Sequence, residues 1–444
     1  MVELSLKKGM ENRLSGAVPS IKTVLNYISV FIVFSGGWTF FILDFADLRA
    51  SYFVMMFIML AWLPFLRHIY FHKGFMLLFF IICLASLYNI IIGNDTPDLF
   101  MKQFIGILLN SFFFYALIKI NGYDIKRLFK IYLNLAFIVA LIGVLQEASY
   151  LLGFRTGYDF KHFIPYWNLV MNNTFGLPRL NSILPEPSYF CGVMMPAFFV
   201  SVVSFLKNNF GFQKKWKSVI IIVSFFFTFS AVGYIGIFFS LALLAYSYRK
   251  THYFIVVGLI IAALGVLGYR NIPDFRIRID HSVGIMKGDI RLETVDSSTF
   301  AFYTNARVAS RNFLDNPVFG TGLGSHKISY YRLIERCINI DEIIGMSFLN
   351  VADASSLFLR LLSETGLVGV LVFLAFLLRF NVKRAQGAGN YLWIINNAVL
   401  AMFFVKLLKI GHYFIDGFFF FLWLYYFSKI QFDNIKRSSG PDGK

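Results

Sequence analysis

The chain has 444 residues, of which 58% are hydrophobic, 19% aromatic and only 15% charged, with a formal net charge of +17. A soluble domain carries about one quarter charged residues, so this composition excludes a string of soluble domains; apolar runs of roughly 20 residues recur instead, each long enough to cross a bilayer. The positive charge reads as Lys- and Arg-rich cytoplasmic loops of a polytopic membrane protein, not as a nucleic-acid surface.

Twelve spans are expected, near 24–44, 51–66, 74–93, 99–120, 131–152, 188–206, 218–231, 232–247, 252–269, 354–378, 391–410 and 413–428. Lys7, Lys8, Arg13 and Lys22 precede the first, which lacks a small-residue cleavage site and reads as a retained anchor. The apolar stretch 218–247 is too long for one ordinary span and divides between Ser230 and Gly233. With the N-terminus cytoplasmic, the inside loops hold Arg67 and Lys73, then Lys126, Arg127 and Lys130, then Lys207, Lys214, Lys215 and Lys217. Arg249 and Lys250, then Arg379, Lys383 and Arg384, and finally Lys429, Lys436, Arg437 and Lys444 continue the pattern. Short outside loops are poor in such residues, so both termini are expected in the cytoplasm.

Two outside segments are long, 153–187 and 270–353, within a single integral membrane domain of residues 1–444. The second is polar and is the only part that resembles a soluble subdomain. Cys83, Cys191 and Cys337 have no metal-ligand or disulfide spacing. Asp44 and Asp47 do not form an Asp-x-Asp pair, so catalysis without a metal is expected.

Ionisable residues within or beside spans are rare and usually functional. Here they are Lys102, Glu147, Glu186, Arg360, Glu364, Lys406, Lys409, His412 and Asp416, all in the outer half of the membrane or at its outer edge. A transporter would place such groups near the midplane; this distribution points to an outward-facing site. Individually they have plainer readings. Arg360 with Glu364, and His412 with Asp416, are four residues apart and suit local pairs, and Lys406 and Lys409 suit snorkelling to the interface.

The segment PRLNSILPEPSYF (178–190) sets Arg179 and a proline-braced Glu186 before a span. A carboxylate at a helix N-terminus gains about 0.3–1 kcal/mol from the dipole, which accounts for Glu186 but not for Arg179. In the long loop, SSTFAFYTNARVASRNFLDNP reads as a helix with a serine start and an Asn-Pro stop. Arg307 and Arg311 lie one turn apart there, a spacing that suits two oxygens of a diphosphate. FGTGLGSH follows, with Gly320, Gly322 and Gly324 before a helix starting near His326. Such glycines serve an ordinary turn, or let backbone N–H groups approach an anion at a helix N-terminus.

Four patches together resemble the O-antigen polymerase and ligase superfamily. RLNSILPEPSYF resembles the Arg-to-Glu-Pro-Ser patch before a span in the polymerases, and TFSAVGYIGI (228–237) resembles a Thr-x-Ser patch between two close spans. NARVASRNFLDNPVFGTGLGSH resembles the arginine helix and Asn-Pro-x-x-Gly-x-Gly of the long periplasmic loop, and SLFLRLLSETGLVG (356–369) resembles the span after it. The resemblance covers most of the chain from 179 onward. Ligases usually carry an arginine where this chain has Ala231 and a His-Asn pair where it has Ser355 and Ser356, which favours the polymerase.

The resemblance implies an all-α membrane fold of the glycosyltransferase C type, in a bacterial inner membrane. It implies transfer of a growing glycan from undecaprenyl diphosphate onto a lipid-linked repeat unit, with no cofactor. Donor, acceptor and membrane lipids are the expected partners, and a chain-length regulator a candidate one. Glu186, Arg179, Asp353 and Glu364 are then the candidate catalytic residues. Arg307, Arg311, Gly322, Gly324, His326, Arg360, Lys409 and His412 are the candidate substrate-binding residues. The rival from another class is a lipid-linked oligosaccharide flippase, which needs a polar path to both faces and leaves the large outer loop without a task.

Overall fold

The computed structural model describes residues 19–42, 47–66, 69–164, 166–172, 176–206, 212–248, 251–287, 292–338, 348–384 and 389–438. Lys7, Lys8, Arg13, Arg67, Lys207, Arg249, Lys250 and Lys444, used above for orientation, lie outside the described residues, as does Asp44.

Five helices open the chain: α1 (Pro19–Phe31), α2 (Ala50–Leu66), α3 (Lys73–Ile91), α4 (Pro97–Ile120) and α5 (Ile125–Leu151). A short hairpin, β1 (Thr39–Ile42) with β2 (Asp47–Arg49), separates the first two. The described residues between 152 and 186 hold one helical turn, Arg155–Tyr158, and one small antiparallel pair, β3 (Met171–Asn172) and β4 (Leu177–Pro178). Then come α6 (Pro187–Leu206), α7 (Lys215–Phe226), α8 (Ala231–Tyr248), α9 (Thr251–Asn271) and α10 (Pro273–Lys287). α11 (Ser297–Asp315), α12 (His326–Cys337), α13 (Leu357–Arg379), α14 (Asn390–Lys409) and α15 (Phe418–Ser438) complete the chain. Seven of the described helices, α3, α4, α5, α6, α8, α13 and α14, are long and apolar enough to cross a membrane. The fold is that of an all-α polytopic membrane protein.

Helix ends follow local chemistry. Pro97 opens α4 with its missing N–H where no intrahelical bond is lost. The Asp124 carboxylate accepts from the Arg127 N–H at 3.0 Å and caps α5. α6 and α14 form the centre: they pack on each other, α6 also holds α7 and α8, and α14 holds α15. Their apolar stretches are 78% and 83% buried, against 11% for α3, which leaves α3 on the outside of the bundle.

Two expected spans differ from what forms. The run 24–44 does not continue as helix past Phe34, because Gly36 and Gly37 turn the chain into the β1–β2 hairpin. Arg49 Nη1 donates to Gly36 O at 3.3 Å, and Trp38 Nε1 to Ile183 O at 2.9 Å, which holds that hairpin on the 152–186 segment. The last helix begins at Phe418, not near 413, because Asp416 (φ 60°) and Gly417 (φ 66°) take a left-handed turn that a helix cannot contain.

The 270–353 segment has a small core of its own, in which Ile285, Leu292, Val295, Phe300, Val308, Tyr330, Leu333 and Val351 are buried together. α11 forms where the sequence predicts it, although Asp296, not a serine, caps it by accepting from the Thr299 N–H at 3.1 Å. This subdomain joins the bundle through a short ladder. Thr321 N–H donates to Ser363 O at 3.1 Å and Gly322 N–H to Glu364 O at 2.9 Å. In return, Leu367 N–H donates to Pro317 O at 2.9 Å and Val368 N–H to Val318 O at 3.1 Å. The exchange is open because α13 is broken at Gly366, which sits at φ 59°, ψ −155°.

Candidate active site

One end of the bundle gathers the charged side chains, and they fall into an inner, closed group and an outer, accessible one. The inner group braces residues 410–417, the link between α14 and α15. Arg360 Nε donates to Glu364 Oε1 at 3.0 Å and its Nη1 to Gly411 O at 3.2 Å, while its guanidinium lies 4.1 Å from the Tyr413 ring centre. Tyr413 OH donates to Glu364 Oε2 at 2.8 Å. Lys406 Nζ meets Asp416 Oδ2 at 3.3 Å, with both side chains closed to solvent. Lys406 therefore does not snorkel, and His412 does not pair with Asp416, because residues 410–417 are not helical. The Arg360–Glu364 pair, by contrast, forms as the spacing suggests.

This geometry removes Glu364 from the list of available bases. Its side chain is fully buried and both oxygens already accept. Arg360 is equally buried, and only its Nη2 lacks a partner among the described residues.

In the outer group, His412 Nε2 lies 3.2 Å from Asp353 Oδ2 and 3.3 Å from Tyr189 OH. Burial pushes the Asp353 pKa up and the His412 pKa down, and the cations Arg49, Arg360, Lys406 and Lys102 push His412 further. Glu186 is exposed at the start of α6, accepts from Ser188 Oγ at 3.3 Å, and is close enough to act electrostatically on Asp353, Tyr189 and Arg179. The structure thus brings Glu186, Arg179, Asp353 and His412 to one place from residues 179–189, 353 and 412.

Arg179 is fixed on both sides. Its N–H donates to Val170 O at 2.7 Å, and its Nε to Thr228 O at 3.3 Å in the break between α7 and α8. That bond joins the Arg-to-Glu-Pro-Ser segment to the Thr-x-Ser segment. The loop itself is locked by Asn181 and Gln146. Asn181 Nδ2 donates to Asn168 O at 3.0 Å and Pro185 O at 3.2 Å, and Gln146 Nε2 donates to Asn181 Oδ1 at 3.0 Å. Gln146 Oε1 accepts from the Ser182 N–H at 2.9 Å. Lys409 Nζ, at the end of α14, lies 4.6 Å from the Phe302 ring centre of α11.

Other expected residues lie elsewhere. Arg307 and Arg311 are exposed on a different face of α11 from Phe302. Arg307 lies over Tyr303, 5.9 Å from the ring centre, and Arg311 pairs with Asp315 at 3.4 Å. The glycine segment is not an open anion cradle: the Gly322 N–H is spent on the ladder to α13, and a Cβ there would meet Asp95 Oδ2 at 3.0 Å. Gly324 backs onto α4, where a Cβ would meet Leu99 O at 2.8 Å. His326 is wholly buried, with Nε2 3.0 Å from Asn305 Oδ1 and Nδ1 3.0 Å from Ser363 Oγ, so it ties α11, α12 and α13 together. Glu147 stands apart in α5, buried, with neither oxygen partnered among the described residues.

Sequence reading missed Tyr189, Tyr413, Asn181 and Gln146. Tyr189 was within reach, three residues after Glu186 at the start of one helix. Tyr413 was not, since its partner Glu364 is 49 residues away.

A bundle end with an exposed carboxylate, a His–Asp pair and fixed cations is equipped to accept a proton and stabilise a departing anion. No curated protein matches the sequence. Residues 217–374, which run from α7 through the subdomain into α13, match the family described as O-Antigen ligase. Through that stretch the chain matches the O-antigen polymerase and ligase superfamily that its motifs resemble.

Proposed function

We propose that the protein is a polysaccharide polymerase of the bacterial inner membrane. It transfers a growing glycan from undecaprenyl diphosphate onto a lipid-linked repeat unit at the periplasmic face, with twelve spans, both termini cytoplasmic and a fold of the glycosyltransferase C type. The observation that carries this reading is the convergence of Glu186, the Asp353–His412 pair and Arg179 at one accessible bundle end. An acceptor hydroxyl attacks the anomeric carbon of the donor, the carbon–oxygen bond to the diphosphate breaks, and the diphosphate leaves with the electron pair. The hydroxyl proton passes to Glu186 or to the Asp353–His412 pair. Arg179 and Lys409 offset the charge that gathers on the leaving group. The diphosphate needs no acid to leave, so the base is where a side chain gains most.

The ligase is the second reading, favoured by the description of the matched family. Ala231, Ser355 and Ser356, where ligases of this resemblance carry Arg and His-Asn, weigh against it. Complementation separates the two. In a polymerase-null strain, wild type should restore a ladder of surface glycan, whereas Glu186→Gln or Asp353→Asn should fall by roughly 10²–10⁴-fold in polymerisation at unchanged membrane levels. Rescue of a ligase-null strain, with no ladder in the polymerase-null one, would overturn the polymerase. Full ladders from both variants would remove these carboxylates from the mechanism.

A further inference from the structure

α10 (Pro273–Lys287) falls within the polar outer loop, and Phe275 sets it against α8, next to the break that Arg179 bonds. Its half-buried stripe, Phe275, Arg278 and His281, is set against exposed Arg276, Ile277 and Asp280. Both ends of that stripe are tied down. The Phe275 ring packs edge-on to Tyr234 of α8 at 6.0 Å between centroids. At the other end, His281 Nδ1 accepts from the Asp296 N–H at 3.3 Å, at the cap of α11. Arg278 lies between these anchors, one turn beyond Phe275, whose ring rests on the first turn of α8.

From there it acts electrostatically on Arg179, Tyr234 and Lys409. Arg278 thus acts on two further cations from separate elements, Arg179 in the segment before α6 and Lys409 at the end of α14. Arg179 uses only Nε, on Thr228 O, and its two Nη groups have no described hydrogen-bond partner. Among the described residues no carboxylate is in ion-pair contact with Arg278. Glu186, which is exposed, acts on Arg179, and Asp296 acts on Lys409 but is already engaged by the Thr299 N–H and hydroxyl at 3.1 and 2.7 Å, while on α10 itself Asp280 accepts from Tyr269 OH at 2.8 Å. Burial, and then Arg278, lower the Arg179 pKa from its ordinary value, as expected for like charges held together. Arranging like charges this way is costly unless an anion joins them.

We propose that Arg278 completes, with Arg179 and Lys409, a cradle for a diphosphate group. This rests on the polymerase reading and narrows it: two guanidinium forks from separate elements suit the oxygens of two linked phosphates. The ligand is the diphosphate of a lipid-borne glycan donor, or free diphosphate of the same chemistry.

The test uses the full chain in lipid nanodiscs, with inorganic pyrophosphate and farnesyl diphosphate as probes and inorganic phosphate as reference. Titration calorimetry should show diphosphate binding that weakens at least about tenfold in Arg278→Ala, the scale of one lost charge-assisted contact. Arg278→Lys should retain part of the affinity, and Arg276→Ala, on the exposed face, all of it. If Arg278→Ala does not fold, Arg278→Gln carries the same comparison. Farnesyl diphosphate binding more tightly than pyrophosphate assigns the cradle to a lipid headgroup, and equal binding assigns it to free diphosphate. Binding of neither probe, or equal affinity in wild type and the Arg278 variants, overturns the cradle.

The glycan ladder is scored in parallel. Arg278-dependent binding without a restored ladder sinks the polymerase and leaves the cradle standing. A ladder with binding indifferent to Arg278 does the reverse.

Discussion

Two buried titratable residues show how position sets behaviour. Burial, with Arg360 adding to it, pushes the His326 pKa down to about 3, against about 6.5 in an unfolded chain. Between those values the unfolded chain binds a proton that the folded one refuses. Stability from this group is therefore full above about pH 6.5 and falls as pH drops toward about 3. Asp95 has the opposite sense. Burial raises it to about 7, from about 3.9 unfolded, so its contribution becomes unfavourable as pH rises from about 4 to about 7. Melting curves of the purified protein check both. His326→Gln should flatten the loss on acidification. Asp95→Asn should raise the melting temperature above about pH 7 and leave it unchanged near pH 4. The reverse pattern would mean that neither side chain is desolvated as described. Sequence could expose Arg360–Glu364, because a helix brings residues four apart together. It could not expose Asp353–His412, whose partners meet only once α13 and α14 have packed.

At the scale of elements, the ladder between residues 317–322 and the break in α13 shows what a glycine motif does not disclose. Backbone N–H groups free of a neighbouring Cβ serve an anion or a carbonyl equally well, so Gly-x-Gly spacing could not choose between them. In the fold, the partners of Thr321 and Gly322 are the carbonyls of Ser363 and Glu364. Gly366 makes this feasible: its φ is 59°, and a Cβ would come within 2.6 Å of Val318 O. Gly366→Ala should therefore lower the melting temperature by more than Gly93→Ala, which has similar φ but nothing within 4 Å of its Cβ. Strain alone costs roughly 1–3 kcal/mol, and the clash adds to it at Gly366 only. Equal losses would mean that the ladder does not bear on stability.

For the whole molecule, the apolar runs were the most legible feature, since length and hydropathy suffice to mark a helix as membrane-spanning. The two expected spans with displaced ends lie where the apolar pattern continues through a turn, at Gly36–Gly37 and at Asp416–Gly417. Orientation rests on charge asymmetry, and labelling can check it. In a cysteine-free background, Ser310→Cys on exposed α11 should react with an impermeant thiol reagent at the periplasmic face of intact cells. Lys126→Cys, at the start of α5, should react only after permeabilisation. The opposite pattern would invert the topology and move the site to the cytoplasm.

The cradle proposed for Arg179, Arg278 and Lys409 has a kinetic consequence. A lipid-borne anion searches in two dimensions, and its encounter rate depends on how far the attracting field reaches. That reach is about 8 Å at physiological ionic strength and about 3 Å at 1 M salt. Added salt should therefore raise the apparent KM for the donor while leaving kcat nearly unchanged, so that ionic strength sets how densely the membrane must be loaded before the protein works at full speed.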